Sequence, residues 1–391
     1  MYDQIAQYTN KLIADRAVLT GEIAFAAQDD AVLTAGEPAL AELAGAVLAR
    51  LSCLALAVAR PALPFADLLV ARAPVGESCI VPRDTETRTF LHDIPFVRRA
   101  ELGDEPAALI ARLLGNRKGV IVEGVGIVAS GTLTVEQAYI NYSSIFHSTF
   151  VKYLEDVLQE GFRLPGETDV FSVFRRDWLR PLTAAGLDFR AGPLTDHDEI
   201  LAEITAVGRY TVERGLVDSF FGNISYRAGE VVYISQTAAS LDALAGCIDP
   251  VAMDNSSTCG ITASSELLAH RRIYELSGAR AILHGHPKFA VVMSMQCEEA
   301  GCPVRDCWKE CPSVRFLGDT PVVAGEIGAG GLAKRVPPVI VGPRKAIVYG
   351  HGVFTVGEAD FAEAFRALVE VENWCRNEYF RRVDERWREN R

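Results

Sequence analysis

The sequence has 391 residues, of which 49% are hydrophobic and 23% are charged, and its formal net charge is −12. This composition is typical of a globular protein with two domains or one large one. Lysine and arginine are scattered, so the charge argues against nucleic acid and anionic membranes as partners. The N-terminus lacks a secretory signal, and the apolar stretch near residues 51–59 is too short to span a bilayer. We therefore expect a cytoplasmic protein whose nine cysteines are thiols or ligands rather than disulfides.

The first half alternates between helical and strand-like patterns. The predicted helices are 2–17, 38–51, 105–114 and 134–159, and the predicted strands are 119–123 and short pieces within 18–33. An apolar run covers residues 53–59. The segment 73–88 is predicted to be rich in loops. The helix 134–159 carries Tyr139, Tyr142 and Phe146 on its apolar side, a pattern typical of a core or an interface.

Residues 281–290 carry the first indication of chemistry. A short apolar run leads into His284 and His286 and stops at Pro287, which predicts a buried strand that ends in two imidazoles. Residues i and i+2 of a strand share a face, so His284 and His286 can bind one metal ion. The alternative is a pair of core histidines with ordinary hydrogen-bond partners.

Further candidate groups lie on either side of this stretch. Residues 345–354 predict another buried strand, which ends in the glycine-flanked His351. Ser264 is predicted to be the N-cap of a helix with Glu266 in its first turn. Together they give three imidazoles for a divalent metal and a carboxylate for proton transfer, and Glu266 has a helix-dipole role as its alternative.

Five motifs occur in the order found in one known family. They are Gly222-Asn223-Ile224-Ser225, Ser235-Gln236-Thr237-Ala238, Ser264-Ser265-Glu266, His284-Gly285-His286-Pro287 and Gly350-His351-Gly352-Val353. Over residues 196–391 the chain resembles the class II aldolase/adducin family, typified by fuculose-1-phosphate aldolase and ribulose-5-phosphate 4-epimerase. The resemblance implies an α/β fold, a divalent metal, with Zn²⁺ as the first choice, on His284, His286 and His351, and proton transfer by Glu266.

The same resemblance implies a phosphate site. Its residues would be Asn223, Thr237, Ala238, Ser264 and Ser265. Short amides, hydroxyls and helix-start N–H groups can hold a dianion without an arginine. Ala238 replaces the family's usual glycine, which puts its backbone contact in question. Polar turn residues and one N-cap are the alternative interpretation.

The first half repeats motifs of the second half in a diverged form. The paired segments are 90–95 with 316–321, 118–126 with 345–352, and 21–24 with 222–225. In this alignment Val125 takes the place of His351, and Glu22 takes the place of Asn223. Valine cannot bind a metal, and a carboxylate would repel a phosphate. We interpret the first half as a scaffold.

The predicted fold is therefore α/β, with two tandem class II aldolase-like α/β/α domains, each around a central, mainly antiparallel sheet. We expect a degenerate domain without metal ligands at 1–165, a linker at 166–195 and a catalytic domain at 196–391. Members of the family are usually symmetric oligomers with active sites between subunits. A homodimer or higher homo-oligomer is expected, with Tyr139, Tyr142 and Phe146 as part of its packing surface.

One segment departs from the family. The family's aldolases carry a tyrosine acid after the histidine pair, whereas residues 295–316 have no tyrosine and hold Cys297, Cys302, Cys307 and Cys311. The intervals of four, four and three residues do not match a zinc ribbon. An iron–sulfur cluster or a second zinc is one interpretation, and ordinary free thiols are the other.

These features predict a metal-dependent carbon–carbon lyase of the aldehyde-lyase class. It would cleave a small phosphorylated ketose through a metal-stabilised enediolate, with the pKa of Glu266 raised towards neutrality. An epimerase, dehydratase or decarboxylase acting on a related sugar phosphate or hydroxy-keto acid uses the same chemistry and is the alternative. A non-catalytic, adducin-like protein is a further alternative, which the intact metal ligands disfavour.

Overall fold

The computed structural model describes residues 1–218, 221–256, 258–299, 301–325 and 329–389. The chain divides into two compact units, Met1–Arg180 (unit 1) and Pro181–Arg391 (unit 2). This division falls inside the segment predicted to be a linker. Part of that segment forms a helix of unit 1, whose first residue, Glu167, is buried and accepts a 2.7 Å hydrogen bond from Nε of Arg72.

The helices and strands of unit 1 follow the predicted pattern closely. Its helices are α1 (Tyr2–Ala14), α2 (Pro38–Leu48), α3 (Phe65–Arg72), α4 (Thr85–Leu91), α5 (Pro106–Leu114), α6 (Val135–Glu160) and α7 (Glu167–Asp177). Its strands are β1 (Val18–Gln28), β2 (Val32–Gly36), β3 (Ala55–Pro61), β4 (Cys79–Ile80), β5 (Ile94–Val97), β6 (Gly119–Val122) and β7 (Gly126–Gly131). The predicted loop 73–88 contains β4 and the start of α4, where the Asp84 carboxylate caps the helix by accepting from the Thr87 N–H.

Unit 2 is built from a similar series of elements. Its helices are α8 (His197–Glu213), α9 (Leu267–Ser277), α10 (Lys288–Ser294), α11 (Cys307–Glu310), α12 (Ala329–Arg335), α13 (Pro337–Ile340) and α14 (Phe361–Glu389). Its strands are β8 (Asn223–Ala228), β9 (Val231–Ser235), β10 (Ile248–Ala252), β11 (Ala281–Gly285), β12 (Arg315–Leu317), β13 (Thr320–Val323), β14 (Lys345–Val348) and β15 (Gly352–Gly357). No helix in the described part of the chain is long and apolar enough to cross a membrane.

The two sheets have the same topology. Among the described residues, unit 1 has the strand order β2-β1-β3-β7-β6-β5-β4, and unit 2 has the order β10-β9-β8-β11-β15-β14-β13-β12. Each sheet is antiparallel except for one parallel pair, β5 with β6 and β13 with β14. The orders coincide strand for strand once the edge strand β10 is set aside. The predicted α/β fold with two tandem, mainly antiparallel sheets is confirmed.

Helices cover both faces of the unit 2 sheet. On one face, Ile273 of α9 and Val336 beside α13 pack with Ile282 and Phe354 of the sheet in one buried core. On the other face, α14 packs against β11 and β15. The central strand β11 is therefore buried along its whole length, which explains its unbroken apolar sequence.

The aromatic stripe of α6 belongs to the core of unit 1. Tyr139 and Tyr142 are fully buried and Phe146 is buried as well. The Tyr139 ring stacks on Tyr8 with centroids 5.2 Å apart, and its hydroxyl donates to the Asp15 carboxylate at 3.0 Å. The prediction that these aromatic residues form a packing surface between subunits is wrong, because α6 uses them within its own unit.

Candidate metal centre and active site

The central strand β11 ends in the first two histidines. His284 and His286 are both buried, with 0% and 3% exposure. The Nδ1–H of His284 donates to the carbonyl of Val353 at 3.0 Å, which leaves the Nε2 lone pair of His284 for another partner. The His284 ring also stacks on Phe354 with centroids 3.9 Å apart. Packing and this hydrogen bond thus fix both the orientation and the tautomer of His284.

The third histidine comes from the turn between β14 and β15. The Nε2 atom of His284 lies 3.2 Å from Nε2 of His351 and 3.0 Å from Nε2 of His286. The ligand atoms of the three side chains all lie within 4.8 Å of one another. Neutral imidazoles whose lone pairs face one another at this distance repel unless a cation lies between them. The donor set therefore fits a divalent metal with three nitrogen ligands.

Glu266 lies beside these histidines, directly before the first residue of helix α9. Helix α9 begins at Leu267 and Glu266 is its N-cap, so the prediction that Ser264 caps this helix is wrong. The Glu266 carboxylate makes no capping hydrogen bond. Its Oε1 lies 3.3 Å from Nε2 of His351, and its Oε2 lies 3.6 Å from Nε2 of His284. The carboxylate therefore faces the candidate metal centre instead of its own helix.

Electrostatics keep Glu266 ionised. Burial opposes ionisation, but the positive charge of protonated His284 and His351, which a bound cation would replace, and the amide of Asn223 outweigh it, so the pKa of Glu266 lies well below its ordinary value. The prediction that this pKa is raised towards neutrality is wrong. The prediction referred to the state without metal-bound substrate, and in that state three favourable partners surround the carboxylate. The carboxylate is therefore ionised at neutral pH and can accept a proton, and its lowered pKa makes it a weaker base than an ordinary glutamate.

A chain of buried side chains holds Glu266 from behind. Tyr274 Oη bonds to Ser225 Oγ at 2.7 Å, and Ser225 Oγ bonds to Nδ1 of His270 at 2.7 Å. Nε2 of His270 bonds to Oδ1 of Asn223 at 2.5 Å, and Nδ2 of Asn223 bonds to Oε2 of Glu266 at 2.8 Å. The amide N–H of Asn223 donates to the carboxylate, so its oxygen accepts from Nε2–H of His270. Burial lowers the pKa of His270 to about 3, so this imidazole is neutral.

Sequence analysis missed His270, Ser225 and Tyr274, although a signal was present. Residues 266, 270 and 274 follow at intervals of four and share one face of α9. Residues 223 and 225 alternate on one face of β8. The two periodicities, read together, indicate a polar contact between this helix and this strand. That contact engages both ends of the Asn223 amide, which sequence analysis assigned to a phosphate site.

The other predicted phosphate residues lie on two adjacent segments. Gln236 and Ala263 form an isolated antiparallel bridge, and the Thr237 hydroxyl donates to the Ala263 carbonyl at 2.9 Å. Ser264 is buried, and its hydroxyl oxygen accepts from the Glu266 N–H at 3.3 Å. Ser265 and Thr237 are exposed. Of these hydroxyl groups, that of Ser264 contacts Glu266, and that of Thr237 bonds to the neighbouring Ala263.

Ala238 adopts a left-handed backbone conformation. Its φ is +61°, in the left-handed region that costs a residue with a Cβ about 1 kcal/mol. The turn therefore forms without a glycine at this position. Ala238 and the preceding Thr237 are exposed. The backbone of Ala238 remains accessible to a ligand.

The predicted site shares sequence features with a known domain. Residues 202–379 match the Class II Aldolase and Adducin N-terminal domain. This part of the chain is therefore similar to the class II aldolase and adducin family. No curated protein matches the chain. The matched segment contains all three histidines and Glu266.

Solved class II aldolase structures resemble about half of the chain. L-fuculose-1-phosphate aldolase from Thermus thermophilus is 23% identical, covering 48% of this chain and 97% of its own, with a TM-score of 0.40. YgbL from Klebsiella pneumoniae, a putative aldolase/epimerase/decarboxylase, is 21% identical, covering 49% and 99%, with a TM-score of 0.38. A sugar-phosphate aldolase from Thermotoga maritima is 19% identical, covering 48% and 96%, with a TM-score of 0.35.

Strand register shows which residues of unit 1 correspond to the three histidines of unit 2. In the hairpin of unit 1, Val122 pairs with Gly126, and in unit 2 Val348 pairs with Gly352. The two hairpin turns are equally long, so Val125 corresponds to His351, as predicted from the sequence repeat.

The same comparison assigns the other two histidine positions. Val58 pairs with Val128, which lies two residues after the start of β7. His284 pairs with Phe354, which lies two residues after the start of β15. Val58 therefore corresponds to His284, and Arg60, two residues later, corresponds to His286. Neither side chain is a usual metal ligand.

Register also corrects one predicted correspondence. Val58 pairs with Ala24 of β1, whereas His284 pairs with Asn223 of β8. Ala24, and not Glu22, therefore occupies the position of Asn223. Glu22 instead forms a 2.6 Å ion pair with Arg60. A register irregularity in β1 between Val18 and Ile23 explains why the sequence alignment missed this shift.

Proposed function

We propose that unit 2 is a metal-dependent carbon–carbon lyase that cleaves a small phosphorylated ketose. The observation that carries the proposal is the convergence of three histidine Nε2 atoms next to the ionised carboxylate of Glu266. The Ser264 hydroxyl, whose oxygen accepts from the Glu266 N–H, can still donate its own hydrogen to a phosphate group. This combination would provide a cation, a base and an anion site next to one another.

His284, His286 and His351 would hold the divalent metal, with Zn²⁺ as the expected ion. When bound, the ion supplies positive charge that stabilises the enediolate left by cleavage, an effect worth several kcal/mol. The tautomer of His284 is already fixed for this role by the carbonyl of Val353. Three neutral ligands leave the full double charge of the ion available to the substrate.

Glu266 would move the proton. As the carbon–carbon bond breaks, the carboxylate accepts the proton of the hydroxyl on the carbon that becomes the aldehyde. The bonding electron pair stays on the carbon next to the carbonyl, and Glu266 then returns the proton to that carbon. The series of hydrogen bonds from Tyr274 to Asn223 fixes Oε2 of Glu266. Oε1 of Glu266, on the side of His351, would therefore be the atom that exchanges the proton.

The second candidate is an epimerase, dehydratase or decarboxylase on a related sugar phosphate or hydroxy-keto acid. One observation supports it: the segment 295–316 lacks the tyrosine that the family's aldolases use as an acid. Each of these reactions also passes through an enolate and needs the same cation and base. They differ only in which bond breaks first.

The test uses the purified full chain. Metal content is measured per chain, and phosphorylated ketoses of about four to seven carbons are screened for release of dihydroxyacetone phosphate or glycolaldehyde phosphate. We expect about one equivalent of divalent metal and release of one of these products, both abolished by a chelator. Proton exchange or carbon dioxide release without aldehyde would instead support the second candidate. Metal-free protein would contradict both.

A further inference from the structure

Four cysteines lie in the connection between α10 and β12, and the site described above does not use them. Cys297 is exposed, and Cys302, Cys307 and Cys311 are partly buried; all four are free thiols. Burial raises the pKa of the Cys307 thiol, and the thiols of Cys311, Cys297 and Cys302 raise it further. All four thiols lie in one connection, and those of Cys311, Cys297 and Cys302 interact electrostatically with that of Cys307.

The connection is anchored to the rest of unit 2. The guanidinium group of Arg315 donates to the carbonyls of Ser294, at 2.7 Å, and Gln296, at 2.5 Å. The N–H of Gly325 donates to the carbonyl of Trp308 at 2.9 Å. Both ends and the middle of the connection are thus fixed, so the thiols belong to a defined loop.

The loop also holds a polar atom that needs an acceptor. Nε1 of Trp308 is buried and has no hydrogen-bond partner among the described residues. A buried N–H without an acceptor costs about 1–3 kcal/mol. Trp308 follows Cys307 directly, so sulfur atoms held by this loop would be suitable acceptors. Hydrogen bonds to sulfur are a regular feature of iron–sulfur sites.

We propose that Cys297, Cys302, Cys307 and Cys311 bind an iron–sulfur cluster. Four thiolates are the usual ligand set of such clusters. This site does not depend on the proposed function of the histidine centre.

A single zinc ion fits this loop less well. Zinc draws its sulfur ligands to about 2.3 Å from one point. In the part of the chain that the structure describes, only His284, His286 and His351 bring three ligand atoms together at such close range. In a cluster the thiolates bind different iron atoms, so sulfur atoms spread around Cys307 can all serve as ligands.

The loop is connected to the histidine centre through one hydrogen bond. The N–H of Gly350 donates to the hydroxyl of Ser294 at 2.8 Å, and Gly350 precedes His351. Ser294 in turn accepts from Arg315 through its carbonyl. A cluster that orders the loop would thereby stabilise the turn that presents His351.

The test is anaerobic purification of the full chain, with analysis of iron and acid-labile sulfide, visible absorption, and electron paramagnetic resonance after reduction by dithionite. We expect iron and sulfide in equal amounts, about two or four of each per chain, and a brown protein. Cys307→Ser and Cys311→Ser should lose most of the iron. Cys79→Ser, which removes an exposed thiol of unit 1, is the matched control and should keep it.

His284→Ala separates this proposal from the proposed function, because it should lose the metal of the histidine centre and keep iron and sulfide. Reconstitution of the wild-type protein with ferrous iron and sulfide guards against loss of a cluster during purification. Zinc in place of iron, released by Cys307→Ser, would overturn the cluster assignment. So would wild-type protein whose four thiols react freely with a thiol reagent and which takes up no iron on reconstitution.

Discussion

The amide of Asn223 donates a 2.8 Å hydrogen bond to Oε2 of Glu266, so a strand residue holds the carboxylate at the start of a helix. The oxygen of the same amide accepts from neutral His270. Because each group in this series of hydrogen bonds can act only as the donor or only as the acceptor in each contact, the orientation of the Glu266 carboxylate is fixed before a ligand binds.

Asn223→Ala should alter the pH dependence of the reaction. The amide helps His284 and His351 to lower the pKa of Glu266, so its removal moves that pKa upwards. Activity that needs the ionised carboxylate then fails at a higher pH on the acidic side of the profile. We expect this limb to shift upwards and kcat/KM to fall about tenfold or more near neutral pH.

The matched control is Asn141→Ala, which removes an amide that donates to a backbone carbonyl in unit 1. It should leave the pH profile unchanged. An unshifted acidic limb in Asn223→Ala would show that the amide does not act through Glu266.

Glu266→Gln should abolish proton transfer while it leaves the metal in place. Glutamine has nearly the same shape, so the three histidines stay in position, but it cannot accept the proton. The rate should fall about 100-fold or more, with metal content unchanged. Glu37→Gln is the control, because Glu37 is the N-cap of α2 in unit 1 and accepts from the Leu40 N–H. Equal rates in the two variants would place the base elsewhere.

His284→Ala and His351→Ala should each remove about one equivalent of divalent metal per chain, because two remaining nitrogen ligands hold the ion weakly. Elemental analysis of the purified variants provides the measurement. His197→Ala, at an exposed histidine near Tyr233, serves as the control and should keep its metal. Full occupancy in both active-site variants would refute the ligand assignment.

Glu372→Gln should change the pH dependence of stability. The buried Glu372 carboxylate accepts from the N–H groups of Phe289 and Ala290 at 3.0 and 2.9 Å, and burial raises its pKa from 4.5 to about 7. The folded state therefore binds this proton more tightly than the unfolded state. The contribution of Glu372 protonation to the free energy of unfolding therefore declines between pH 4.5 and about 7, by about 3 kcal/mol at most.

Glutamine at position 372 cannot ionise, so this decline should disappear, although one of the two N–H groups loses its acceptor. Thermal unfolding at about pH 5 and about pH 8, on either side of the titration, measures the effect. Glu370→Gln, at an exposed position of the same helix, should keep the wild-type slope. A Glu372→Gln protein with an unchanged slope would show that another group causes the pH dependence.

Unit 2 by itself, from residue 181 onwards, should be poorly soluble or inactive although it contains every proposed ligand of the histidine centre. We base this on the repeat, since a degenerate copy that persists within the chain is expected to contribute packing surface to a homo-oligomer. Sedimentation and activity of the truncated chain, compared with the full chain, give the test. A monomeric, fully active unit 2 would show that unit 1 is not required.

Local sequence patterns determined the longer helices of unit 1 and the two strands of unit 2 that lead to the histidines. A strand with i and i+2 histidines needs no tertiary information to place both imidazoles on one face. The repeat of turn and strand motifs likewise predicted two similar sheets. Both inferences rest on interactions between residues that are close in sequence.

Only the tertiary structure decided the state of Glu266 and the register of β1. Glu266 meets Asn223 and His351, which lie 43 and 85 residues away, and its pKa depends on their charges and dipoles at contact distance. The irregularity in β1 shifts the alignment of the two units by pairing geometry that no sequence motif records. Charge, hydrogen bonding and burial act through space, so their net effect on one carboxylate becomes known only when the distances are known.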